Sequence, residues 1–289
     1  MIIQILTPDS KIPNLAAMKI SAYHKQLGDA AVFNFPLAGG DLTYASVIFQ
    51  WTPDPIADLV GGPKYPEGKL PPEIDAMKPD YTLYPNMEYS MGYTYKTCPR
   101  TCEFCIVPKQ NLDDKHYSIW TFHDERFKKI CLMNNNTFAD PDWRDTFSEI
   151  EDARLTIVDN NGFDVRFVTE EHAVRLKRLR FDGQIHTAWD FIDHEADIVR
   201  GLGYLKAAGV RPVSVYILIG HTTHEENLHR VMTVEEMGYD AFVMPLNKHD
   251  FYQRSFARWC NHKAIFKTVR WQDYKGYAAG RQIRGRKRR

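Results

Sequence analysis

The 289-residue sequence has no run of about 18 apolar residues, the length a helix needs to cross a bilayer, so no membrane span is expected. Its opening stretch, MIIQILTPDS, lacks the basic leader and the longer apolar segment of a secretory signal. The expectation is therefore a cytoplasmic protein, in a reducing milieu where cysteines serve metals or chemistry more often than disulfides. Cysteine itself is scarce: there are five, and three share one short loop. The other two, Cys131 and Cys260, are too few to ligate a second four-cysteine cluster. Cys131 in KKICLMNNN reads as a buried strand residue. Cys260 in ARWCNHK reads as a small core residue, with a reactive thiol as the alternative. Neither sign of charge dominates, since 37 Lys and Arg balance 37 Asp and Glu. The 44% hydrophobic and 26% charged fractions are those of an ordinary globular chain, with material for one large domain or two smaller ones.

What the sequence does have is the run TCPRTCEFCIVPK, in which Cys98, Cys102 and Cys105 are spaced C-x3-C-x2-C and Phe104 precedes the last cysteine. Three thiolates on one loop can hold three irons of a [4Fe–4S] cube and leave the fourth iron without a protein ligand. Electron-transfer clusters are commonly held by four cysteines, so a three-cysteine loop implies an iron kept open for chemistry. The competing reading is a zinc site, which wants a fourth Cys or His nearby. His116 and His123 are the nearest candidates, and either serves only if the loop folds back.

The cysteine spacing resembles the signature of the radical S-adenosylmethionine (radical SAM) superfamily. The resemblance implies that the open iron binds the amino and carboxylate groups of the methionine moiety of S-adenosyl-L-methionine. It also implies that an electron from the cluster cleaves the sulfonium to a 5′-deoxyadenosyl radical, which abstracts hydrogen from substrate. An external electron donor, such as a reducing flavodoxin, is implied as a partner.

The element pattern predicts an α/β fold: a partial (β/α)6 radical SAM barrel preceded by a small Rossmann-like α/β domain. Residues 2–6 read as a strand, 12–27 as a helix ended by Gly28, and AVFNF and SVIFQW as strands. A Pro-rich stretch from Pro63 to Pro85 reads as a linker. This region, 1–87, resembles a cut-down cobalamin-binding domain. The D-x-H-x-x-G loop that would supply a cobalt ligand is absent, so no cobalamin is expected, and His24 reads as a surface histidine. From residue 88 to 250, six strand signals alternate with helices, in YSMGYTY, KKICLMNN, LTIVDNNG, QIHTAWD, VSVYILIG and YDAFVMPLN. The predicted helices cover Glu170–Leu179, Gly201–Ala208 and Glu225–Met237. VYILIG and AFVMP are the continuous apolar runs of parallel strands buried on both faces.

Ligands gather at the carboxyl ends of strands in such folds, which singles out the residues there. The resemblance implies that the peptide groups around Phe104 meet the adenine while its ring shields the cluster. It also implies that Asn134-Asn135-Asn136 stands where many members carry Gly-Gly-Glu for the ammonium of the methionine moiety. Asn134 and Asn136 can accept from an ammonium, although Asn also favours turns. Arg166 suits a carboxylate of cofactor or substrate; Asp164 can orient it or bind ribose, or the two can form an ion pair on the rim. Asp190 is placed for ribose or substrate, with helix capping as the alternative. Gly220 allows close backbone approach to a nucleoside. Thr222 or Thr223 with Glu226 resembles a capping box, and His221 and His224 read as exposed. By resemblance, Met244-Pro245-Leu246-Asn247 forms the apolar wall and backbone edge for adenine.

The last segment, 251–289, carries twelve Lys and Arg against one acid, Asp273. A helix over YQRSFARWCNHKAIFK precedes the tail RQIRGRKRR. Clustered bases with Trp259, Phe266, Trp271 and Tyr274 suit a nucleic acid, tracking phosphates and stacking bases. Equally, Phe256, Trp259 and Phe266 can pack the helix onto the fold while the tail is merely solvated. The chain thus reads as a radical SAM enzyme of unidentified substrate and unidentified catalytic residue. A non-catalytic, zinc-dependent nucleic-acid-binding module is the alternative, and a catalytically idle barrel that holds a cluster as a scaffold is a third reading.

Overall fold

The computed structural model describes residues 1–35, 39–110 and 112–274. The basic tail 281–289 lies outside the described residues. The chain divides into two compact units, Met1–Asn161 and Gly162 onward, a boundary that falls inside the 88–250 segment expected as one domain.

In the first unit, strand β1 (Ile2–Leu6) and helix α1 (Leu15–Gln26) form close to where the apolar pattern predicts them. Asn14 caps the helix by accepting from the Ala17 amide, and Gly28, at φ +81°, ends it in a left-handed turn. Strands β2 (Ala30–Phe33), β3 (Leu42–Ser46) and β4 (Leu59–Gly61) complete a parallel sheet in the order β2-β1-β3-β4. Ile3 and Ile5 of β1 are buried against Ala17 and Ile20 of α1 and against Ile74. Each such side chain contributes about 1.5–3 kcal/mol by leaving water.

The strand expected over SVIFQW is displaced: β3 begins at Leu42 and ends at Ser46. Beyond it, the Asp9 carboxylate accepts from the amides of Ile48 and Phe49 and from the Thr52 hydroxyl, which draws the backbone into a turn. Phe49 and Trp51 stack on each other there at 4.6 Å and remain exposed. His24 is buried, not on the surface: its Nδ1 lies 2.8 Å from Asp29 Oδ2 and its Nε2 3.1 Å from the Tyr44 hydroxyl. The Pro-rich stretch is also no free linker. It holds helix α2 (Pro72–Asp75) and a 3-10 turn at Tyr81–Leu83, and it buries Ile74 and Tyr81. The Tyr81 hydroxyl accepts from the Met91 amide and donates to the Phe122 carbonyl.

The rest of this unit comprises β5 (Ser90–Gly92), β6 (Lys129–Leu132), α3 (Trp143–Asp152) and β7 (Thr156–Ile157), with β5, β6 and β7 parallel neighbours. Helix α3 escaped the sequence reading, although Trp143, Phe147 and Ile150 recur at helical spacing and are all buried. Cys131 sits buried in β6, and burial pushes its thiol up to about 11.

The second unit comprises α4 (Glu170–Arg178), β8 (Arg180–Phe181), β9 (Ile185–Ala188), α5 (Glu195–Ala207), β10 (Val213–Ile219), α6 (His224–Glu236), β11 (Asp240–Pro245), α7 (Phe251–Asn261) and α8 (Lys263–Thr268). Strands β9, β10 and β11 form a parallel sheet with β10 central. Helix α5 starts six residues before the expected Gly201. Its buried face is Ile198, Leu202 and Leu205, a helical period that Gly201 and Gly203 disguise. Gly201 is required by packing, since a Cβ there would meet the Val165 carbonyl oxygen at 2.0 Å. The C-terminal helix breaks at His262 into α7 and α8.

Every sheet pairing given above is parallel and helices alternate with strands, so the protein is of the α/β class. Among the described residues, no helix is long and apolar enough to cross a membrane.

Candidate metal centre and strand-end residues

In the first unit the chain leaves β5 and enters the cysteine loop through a clamp built from the turn after β6. Asn134 is buried, and its Oδ1 accepts from the amides of Thr94 (2.8 Å) and Tyr95 (3.0 Å). Its Nδ2 donates to the hydroxyls of Thr94 and Thr137 at 2.8 and 3.3 Å. Both lone pairs of that oxygen are thus committed. In this structure Asn134 acts as a structural clamp. Asn135 donates to the Lys96 carbonyl and holds the same segment. Asn136 is buried too, and its Nδ2 reaches the Cys98 sulfur at 3.6 Å. Of the two asparagines expected at the cofactor, Asn136 is the one brought to a cysteine.

Cys98, Cys102 and Cys105 are all free thiols and all partly buried. A short turn, closed by the Cys105 amide donating to the Cys102 carbonyl at 2.9 Å, joins the last two. Phe104 stands half exposed between Glu103 and Cys105. Among the described residues, the one group of three His, Cys, Asp or Glu ligand atoms lying within 4.8 Å of one another is His116, Asp140 and Asp142. The three sulfurs are therefore not gathered within that distance. Around one tetrahedral zinc, with Zn–S of about 2.3 Å, sulfurs stand about 3.8 Å apart. Of the histidines considered as a fourth zinc ligand, His116 has its Nδ1 2.7 Å from the buried Asp140 carboxylate, which leaves Nε2 for a ligand, and His123 is buried, which lowers its pKa.

In the second unit, Arg166 and Asp164 form a two-pronged ion pair, with Nε to Oδ1 at 2.7 Å and Nη2 to Oδ2 at 2.8 Å. Asp164 also accepts from the Arg166 amide and so caps the turn Val165–Phe167. Here the carboxylate expected for Arg166 is supplied from within the chain. Asp190 follows β9 but caps no helix: Phe191 precedes the next turn, and His194 precedes α5 with no side-chain cap bond. Burial raises the Asp190 pKa; a backbone hydrogen bond at Leu218 and the charges of Arg230, Arg166 and His221 only partly offset it.

Gly220 follows β10 at φ +110°, and a Cβ built there would meet the Gln253 side-chain oxygen at 2.5 Å. The close approach at Gly220 is thus filled by Gln253, which also accepts from the Asn247 amide. Pro245 ends β11 opposite Ile219, where the Leu246 amide continues the ladder to the Ile219 carbonyl. Met244 and Leu246 are exposed on either side of it. Thr223 and Glu226 form the expected capping box, and His221 and His224 are exposed. Cys260 is buried, with its thiol pushed up to about 12 by burial, which suits a core residue. Phe256 and Trp259 are also buried, so their rings are not presented for base stacking.

One residue the sequence reading missed is Arg230. It is fully buried on α6 and donates to the carbonyls of Trp189 (2.8 Å), Asp190 (2.7 Å) and Leu218 (3.1 Å). It also donates to the Thr222 hydroxyl and the Asn227 side chain at 2.8 and 2.7 Å. One guanidinium thereby ties the carboxyl ends of β9 and β10 to the start of α6. Burial pulls its pKa down to about 10. The signal was available: Asn227, Arg230, Val231 and Val234 share the buried helical face.

The chain matches no family model, no curated protein and no solved structure.

Proposed function

We propose that this chain is a cytoplasmic radical S-adenosylmethionine enzyme whose Cys98, Cys102 and Cys105 hold a [4Fe–4S] cluster. The observation that carries the reading is the loop itself: three free thiols follow the first of three parallel strands, and the Asn136 side-chain nitrogen reaches the Cys98 sulfur. The donor set fits the group, because soft thiolates in a loop without a fourth cysteine suit an iron–sulfur cube with one open iron. On this reading the fold is the partial (β/α)6 barrel expected from the sequence.

When bound, the cluster supplies the electron that cleaves S-adenosylmethionine and starts hydrogen abstraction from substrate. The chain's own residues prepare the site. The Asn134 clamp fixes the entry of the loop, and Asn136 directs an N–H at Cys98. Arg230 fixes the strand end that carries Asp190. The Asp190 carboxyl, whose neutral form burial favours, can donate to or accept from a hydroxyl of ribose or substrate. The reading calls for an external electron donor, and a nucleic-acid substrate engaged by the basic tail is compatible with it.

The test is anaerobic purification and reconstitution, followed by iron and sulfide analysis and a reductant-driven assay for 5′-deoxyadenosine. The expected result is a brown protein with about four irons per chain that releases 5′-deoxyadenosine and loses both properties in Cys102→Ala. A colourless protein holding one zinc would overturn the reading and favour the zinc-dependent nucleic-acid-binding module.

A further inference from the structure

A cavity of about 450 Å3 lies in the first unit at the carboxyl end of β5. Gly92, the last residue of that strand, lines it, and so does Lys96, two residues before Cys98. The volume falls within the roughly 300–1,000 Å3 of small-molecule sites. One wall is apolar, with Leu15, Leu70, Met77 and Phe122.

The other wall is a row of alternating charges. Lys19 on α1 donates to Asp75 Oδ1 at 2.7 Å and to the Asp75 carbonyl. Lys96 donates to Asp75 Oδ2 at 2.8 Å and to Asp113 Oδ2 at 3.0 Å. Asp113 also accepts from the Tyr117 hydroxyl at 2.9 Å, and the Lys96 ammonium sits 5.0 Å from the centre of the Tyr117 ring. Burial pushes Asp75 up, and the bonds from Lys19 and Lys96 more than reverse it.

The row does not close on itself. Lys115 lines the same cavity and has no ion pair among the described residues. Three ammonium groups thus face two carboxylates, an excess of one positive charge. Each ammonium has three N–H groups; Lys19 and Lys96 each commit two, and Lys115 commits none. The lining thus carries one more cation than anions beside its apolar residues.

We propose that the cavity binds a small organic monoanion, an apolar body carrying one carboxylate, whose charge completes the row at Lys96 and Lys115. A single negative charge matches the excess, which a phosphate dianion would overshoot, and the wall of Leu70, Met77 and Phe122 takes the apolar body. None of the three cysteines lines the cavity, so the assignment goes beyond the cluster reading and stands independently of it.

The test is calorimetric titration of the full-length chain with 4-phenylbutyrate, 4-phenylbutyramide and phenyl phosphate. The expected result is saturable one-site binding of the carboxylate, with the neutral amide about tenfold weaker or worse. Lys115→Met should weaken the carboxylate about tenfold, leave the amide unchanged and keep the melting temperature, because Lys115 is exposed and holds no ion pair among the described residues. Cys102→Ala should bind the carboxylate as the parent does, which separates this site from the fate of the cluster reading. Absence of saturable carboxylate binding, equal binding of acid and amide, tighter binding of phenyl phosphate, or indifference to Lys115→Met would each overturn the proposal.

Discussion

The Asn136 side-chain nitrogen stands 3.6 Å from the sulfur of Cys98, and the asparagine is buried. An N–H directed at a ligating sulfur stabilises added negative charge on an iron–sulfur cluster and so raises its reduction potential. Asn136→Leu keeps the volume and removes the donor. It is expected to retain about four irons and to shift the cluster to a more negative potential in an anaerobic redox titration. An unchanged potential would show that the contact does not tune the cluster.

Arg230 offers a second test. Replacing it with Met leaves three carbonyls, a hydroxyl and an amide oxygen without their shared donor. Each buried acceptor left unpaired costs on the order of 1–3 kcal/mol, with some recovered by relaxation. The expected loss in urea unfolding is about 3 kcal/mol or more. Lys at this position should not rescue it, because three N–H groups on one nitrogen cannot span five acceptors. A variant within about 0.5 kcal/mol of the parent would contradict the role assigned to this residue.

Asp190 should show itself in the pH dependence of stability. Its folded pKa is raised above the ordinary value by burial, so the native state holds the proton longer than the unfolded chain does. Stability therefore falls as pH rises through the window from the unfolded value, about 3.9, to the folded one, and the penalty is complete above it. Asp190→Asn removes the charge and is expected to be more stable than the parent at pH 7. The gain should vanish below the unfolded value. A gain independent of pH would point to packing instead.

Asp80 carries the opposite sign. Burial pushes its carboxyl up, but bonds from Lys25, Ser21 and Thr82 outweigh that and hold it down to about 2. Its contribution is present above the unfolded value and lost as pH falls toward 2. Asp80→Asn should cost about 2 kcal/mol at pH 7, and the difference should shrink between about pH 4 and about pH 2. Chemical denaturation across that range would measure it.

Several elements were legible because their signals are local. The strand at residues 2–6, the helix before Gly28, the capping box at Thr223 and the apolar run of β10 each follow from a period or a turn residue. Others misled for identifiable reasons. The aromatic run after Ser46 has strand composition, but the Asp9 carboxylate captures its amides. His24 looks like a surface residue until Asp29 and Tyr44 close around it. The three consecutive asparagines look alike in sequence, yet Asn134 is spent on Thr94 and Tyr95 while Asn136 reaches Cys98.

By itself the sequence determined the α/β class and the position of the cysteine loop, because hydrophobic period, turn residues and thiol spacing act over a few neighbouring positions. Tertiary structure alone decided that Arg230 binds two strand ends, that Gln253 fills the space over Gly220, and that Lys19, Asp75, Lys96 and Asp113 form one charged wall. The physical reason is range. A buried charge or carboxamide takes its meaning from the groups that meet it there, and those come from residues that only folding brings into hydrogen-bond distance.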